Sequence, residues 1–147
     1  MNKIIALSLS VETKMWIQLK KVYQFERCKI RKILNAHHLT KSHFDVLLKL
    51  YMSRLPLKQQ ELADSLFLAK SNISMVSSEL EKRMLVEKKD KTLFLSKEGD
   101  TEVESLLVKF QDEFKKQFDV LSPLELEFLD KLLNKLSSSL NIGGNHV

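Results

Sequence analysis

The chain has 147 residues, room for one domain with a real core or one domain plus a dimerisation appendage. A hydrophobic share of 44% excludes a disordered chain, and three Gly and two Pro leave too little turn material for an all-β fold. The net charge of +5 is unevenly spread: +6 over residues 1–36, +3 over 37–96 and −4 over 97–147, which suggests a polyanion partner on one side.

In chain order, the apolar run within Met1 to Val11 is too brief for a secretory core and has no cleavage site after it. Ser10 is a natural N-cap for a long helix over 11–36, with Val11, Met15, Trp16, Leu19, Val22 and Tyr23 at helical spacing, continued by Ile30 and Leu34. Its other face is basic: Lys14, Lys20, Lys21, Arg27, Lys29, Arg31 and Lys32. Thr40 opens a second helix over 41–53, with Phe44, Leu47, Leu48 and Tyr51 on its apolar face. After Pro56 comes a short helix over 58–65, with Leu62 and Ala63 facing inward, and then a turn at Phe67-Leu68-Ala69.

A fourth helix starts at Ser71-Asn72 and runs to Arg83. Ile73, Val76 and Leu80 form one stripe, and Ser71, Met75, Ser78 and Lys82, flanked by Asn72 and Ser74, lie opposite. An ordinary solvent face would be mostly Lys and Glu; this one is rich in small hydroxyl and amide groups. Two β-like runs follow, 85–87 and 92–95, around a basic turn Lys88-Lys89-Asp90-Lys91. Ser96 caps a fifth helix to about Asp119, striped with Leu106, Leu107, Phe110, Phe114 and Phe118. Ser122-Pro123 opens a sixth helix, 123–140, carrying Leu126, Leu129, Leu133, Leu136 and Leu140, and Asn141 to Val147 reads as a loose tail. The expected fold class is mostly α. No apolar stretch is long enough to span a bilayer.

A helix that reads the major groove needs short donors and acceptors close to base edges, and a neighbouring basic hairpin reaches phosphates or the minor groove. The order of elements meets both needs. Residues 39–99 resemble the core of the multiple-antibiotic-resistance regulator (MarR) family. The matching stretches are Leu39-Thr40 with Phe44 and Leu47-Leu48, Gln60-Glu61-Leu62-Ala63, and Ser71-Asn72-Ile73-Ser74. They continue in Leu80-Glu81-Lys82-Arg83 with Leu85-Val86-Glu87, and in Leu95-Ser96-Lys97-Glu98-Gly99.

The resemblance implies a winged helix-turn-helix domain at 39–99, with 1–38 and 100–147 forming a helical dimerisation region. It implies a sequence-specific transcription regulator, a repressor acting as a cytoplasmic homodimer on a palindromic DNA operator, modulated by a small-molecule effector. No catalytic constellation, cofactor or metal is expected, and no membrane partner. Two other readings are a winged-helix protein-interaction module and a nonspecific architectural DNA-binding protein. The expected DNA contacts are Lys58, Lys70, Ser71, Asn72, Ser74, Met75, Ser78, Lys82, Lys88, Lys89 and Lys91. The chain departs from the family in having Met84 where a glycine is usual, a short wing, and no arginine at the wing tip.

Three other groups each have a structural and a functional reading. Trp16, Tyr23 and Tyr51, with Phe25, either line an effector pocket or pack in core and dimer. Cys28, the single cysteine and so unable to form a disulfide within the chain, is an inert thiol or a redox sensor among Arg27, Lys29, Arg31 and Lys32. His37, His38 and His43 are helix-end groups or metal ligands.

Overall fold

The computed structural model describes residues 8–140. The tail at 141–147 and most of the apolar start at 1–11 therefore lie outside the described residues. Six helices and a small sheet follow one another: α1 (Val11–Ala36), α2 (Lys41–Ser53), β1 (Leu57–Lys58), α3 (Gln59–Leu66), α4 (Lys70–Lys82), β2 (Val86–Lys89), β3 (Thr92–Leu95), α5 (Lys97–Phe118) and α6 (Pro123–Leu140). The expected bounds of the long helices hold because their caps are local. The Ser10 hydroxyl accepts from the Thr13 N–H at 3.2 Å, and Thr40 and His43 form a reciprocal capping box.

Three local expectations need correction. The sequence shows no strand at 57–58, yet these two residues pair antiparallel with β3, giving a sheet of order β1-β3-β2. Two residues carry no periodicity to detect, and the free edge of β3 recruits them. The hairpin turn is Asp90-Lys91 alone, because Lys88 and Lys89 continue β2 and pair with Leu93 and Thr92. Finally, α4 begins one residue early, at Lys70, with Ala69 as its N-cap.

With few glycines, the chain ends its helices on bulkier residues. His38, Phe67 and Met84 all adopt left-handed backbone, with φ of 55°, 54° and 61°. At each, the next N–H reaches back five residues: Leu39 to Leu34, Leu68 to Ala63 and Leu85 to Leu80, at 2.9–3.0 Å. Met84 thus fills a conformation that favours glycine.

Gly99 is required for a different reason. The first turn of α5 lies so close to the hairpin base that a Cβ would sit 2.1 Å from the Leu85 carbonyl oxygen. Ser96 seals this approach: its hydroxyl accepts from the Gly99 N–H at 2.9 Å and donates to the Met84 carbonyl at 2.7 Å.

The core lies between α2, α3, α4, the hairpin and the first half of α5. Val46 and Leu47 of α2, Leu62 of α3, Ile73 and Leu80 of α4, Leu93 of β3 and Val103 and Leu106 of α5 are all completely buried. Phe44 and Phe110 meet edge to face, with centroids 5.0 Å apart. From α1 only Leu34 and Glu26 are buried, and from α6 nothing is.

Candidate nucleic-acid interface

α3, the turn at Phe67 and α4 form a helix-turn-helix. Ile73, Val76 and Leu80 bury one side of α4, and Ser77 joins them, its hydroxyl donating to the Ile73 carbonyl at 2.5 Å. The outward side is the one expected. Lys70, Ser71, Ser74, Met75 and Lys82 are exposed, and Asn72 and Ser78 are half-buried. Since Ala69 offers no side-chain acceptor at the N-cap, the first-turn N–H groups of α4 remain for solvent or an anion.

The wing lysines are divided by the sheet register. Lys58 and Lys89 both stand opposite Thr92, from the two strands that flank β3, so these three share the outer face. The Lys89 ammonium lies over the Phe94 ring on that face, 5.6 Å from its centroid. Lys88 is paired with the buried Leu93 and points to the inner side, half-covered. Lys91 is exposed in the turn. Alternation along a strand separates neighbours that a loop would have kept together.

The three aromatic residues expected to line a pocket are not brought together. A cleft of about 620 Å³ opens between α1 and α2, and Tyr23 is the only one of the three that lines it. Trp16 is exposed, with Lys20 over its ring. Tyr51 stacks under Arg54 at 3.9 Å and donates to Glu104 at 3.3 Å. The cleft floor is apolar, from Ile30, Leu34, Leu39 and Phe44, and its rim carries Arg27, Arg31 and Lys41. Lys41 pairs with Asp45, whereas among the described residues Arg27 and Arg31 form no ion pair. Cys28, exposed, also lines the cleft. The sequence pointed to this site through Tyr23 and the basic stripe of α1, while the α2 wall comes from packing.

The histidines do not converge. His37 Nδ1 is 2.6 Å from Glu102 and its Nε2 is 2.6 Å from the Lys109 ammonium, both on α5. His43 sits in the α2 cap and reaches Glu79 of α4 at 2.6 Å. Among the described residues no three His, Cys, Asp or Glu side chains are grouped to hold a metal ion, and no helix is long and apolar enough to cross a membrane.

No protein-family model matches the chain. It is 32% identical over 127 residues to uncharacterized HTH-type transcriptional regulators of Bacillus cereus and Bacillus anthracis, covering 82% of this chain and 85% of theirs. Its fold is similar to a MarR family protein from Bacillus stearothermophilus, with a TM-score of 0.79 at 20% identity over 91% of this chain and 99% of that one. A Mycobacterium tuberculosis MarR family protein in complex with DNA matches with a TM-score of 0.73 at 19% identity, covering 88% and 98%. NadR in complex with 4-hydroxyphenylacetate matches with a TM-score of 0.72 at 22% identity, covering 90% and 98%. The sequence relatives show the family and the solved structures the fold: the chain belongs to the HTH-type transcriptional regulators and has the winged-helix fold seen in MarR family proteins.

Proposed function

We propose that this transcription regulator is a sequence-specific repressor, acting as a cytoplasmic homodimer on a palindromic operator and modulated by a small ligand. Residues 39–99 are then the DNA-binding unit, and 1–38 with 100–147 the dimerisation region. The observation that carries the reading is the outward face of α4, where Ser71, Ser74 and Met75 stand exposed and Asn72 and Ser78 half-exposed, above an inner stripe of Ile73, Val76 and Leu80. Serine and asparagine suit base edges, and Met75 suits the methyl group of thymine. Lys70 at one end of α4, Lys82 at the other, and the outer-face pair Lys58 and Lys89 supply phosphate contacts. The MarR protein bound to DNA supports the same use of the fold.

Dimerisation is supported by apolar surface that the described residues of one chain leave uncovered. Trp16, Leu19, Val22 and Tyr23 of α1 and Leu124, Phe128, Leu132 and Leu136 of α6 are all exposed. An apolar helix that buries nothing in its own chain needs a partner, and a second copy gives each chain end its counterpart. The cleft between α1 and α2 suits an amphipathic anion, with carboxylate toward Arg27 and Arg31 and ring toward Phe44 and Leu39. The aromatic acid held by NadR is of this class.

Duplex selection from a random pool, followed by binding over a salt series, tests the reading. The expected result is a palindrome with half-sites about one helical turn apart and affinity that falls steeply with salt. Ser74→Glu with Ser78→Glu lowers specific affinity about 100-fold or more and leaves the dimer intact. Unchanged affinity removes α4 from the interface. Salt-sensitive binding without sequence preference makes the chain an architectural DNA-binding protein, and no binding at low salt leaves a protein-interaction module.

A further inference from the structure

The turn between α1 and α2 carries polar links to α4 that the hydrophobic core does not need. It is already a complete helix stop, with His38 N–H on the Asn35 carbonyl and Leu39 N–H on that of Leu34. The carbonyls of His37 and His38 are taken by one side chain. Arg83, the C-cap residue of α4, donates from Nη1 to His38 O at 2.6 Å and from Nη2 to His37 O at 2.9 Å. A planar guanidinium makes this two-pronged contact, and an ammonium does not.

One helical turn back on the same face of α4, Glu79 meets His43. His43 Nδ1 accepts from the Thr40 N–H at 3.0 Å, so the neutral ring keeps its proton on Nε2 and donates it to Glu79. Two links thus fasten α4 to the segment 37–43. The same stretch of chain walls the cleft, through Leu39, Thr40 and Lys41.

We propose that Arg83, assisted by the His43–Glu79 pair, is the positioning residue that sets α4 for DNA. The segment 37–43 is then the connection by which filling the α1–α2 cleft reaches the DNA-binding face. The inference rests on reading α4 as the DNA-contacting helix.

Arg83→Ala and Arg83→Lys are compared with the wild type on the selected duplex over a salt series. A phosphate-contacting arginine would be replaced adequately by lysine, and its loss to alanine would lower the salt slope by about 0.9 per chain. A positioning arginine predicts binding about 10-fold weaker in both variants at unchanged slope, with thermal unfolding and association state preserved. A lysine variant that binds like the wild type, or a fallen slope in the alanine variant, overturns the proposal. Glu79→Gln, at a side chain 46% exposed, should weaken binding about 3-fold in the same manner. Normal binding there removes the pair from the device.

The cleft connection is tested covalently, because Cys28 is the single cysteine and lines the cleft. N-benzylmaleimide on Cys28 should quicken amide exchange in α4 and weaken duplex binding about 10-fold in the wild type, but add under about 2-fold in Arg83→Lys. Equal effects in both proteins, or none in the wild type, overturn the connection. Amide exchange is read without DNA, so failure to bind any duplex refutes the DNA reading while the connection is judged separately.

Discussion

The winged middle of the chain and its two helical ends treat similar apolar residues in opposite ways. Leu47, Leu62, Leu80 and Leu93 are wholly buried by their own chain, while Phe128, Leu132 and Leu136 of α6 are more than half exposed. The α1 helix makes the contrast within one element: Leu34 is 1% exposed and Trp16 60%. Hydrophobic periodicity marks a face for burial but does not say what buries it. The middle region closes its own core; the ends leave their apolar sides exposed, and on the homodimer reading proposed above a second copy covers them.

The sharpest way to break the comparison is at the ends. Phe128→Glu with Leu132→Glu should cost about 4 kcal/mol in association, about 1000-fold, because charge enters a desolvated interface. Circular dichroism should stay near wild type while sedimentation shows a single chain. A dimer that survives the double substitution removes α6 from the contact. In the middle, Leu80→Ala should lose about 2–5 kcal/mol of unfolding free energy through the cavity it leaves. That loss, read by urea denaturation, should remain at every protein concentration.

A smaller effect sharpens the account of the wing base. Met84→Gly should raise stability by about 1 kcal/mol, since glycine holds φ of 61° without the clash that a Cβ brings. A fall in stability would mean that the exposed Met84 side chain packs against something else.

The smallest effect concerns the join between α1 and α5. Glu113 is held below its ordinary value of 4.5, first by the hydrogen bond and charge of Lys116 and then by Lys29 of α1. A depressed carboxylate contributes stability above its unfolded value and loses it as pH falls through the folded one. Glu113→Gln should therefore lower Tm slightly at neutral pH and not at all in acid. A difference that persists in acid would assign Glu113 a role other than charge pairing.

Much of the fold was legible because it is local. Caps at Ser10, Thr40 and Ser96 sit beside the residues they serve, and the apolar stripes of α2, α4 and α5 needed only their own spacing. The polar face of α4 was legible for the same reason, as a departure from the usual Lys and Glu of a solvent side. The wing was harder. Lys88 and Lys89 are neighbours in sequence, yet pairing with Leu93 and Thr92 turns them to opposite faces of the sheet. β1 had no pattern at all.

The sequence by itself determined where the helices run, which side of each is apolar, and that α4 offers small polar groups outward; short-range capping and a 3.6-residue repeat suffice for that. Only the tertiary structure decided which apolar sides stay uncovered, that Tyr23 meets the cleft while Trp16 and Tyr51 do not, and that Arg83 clasps the turn at His37 and His38. Those facts depend on contacts between residues tens of positions apart, whose partners are chosen by how whole elements pack.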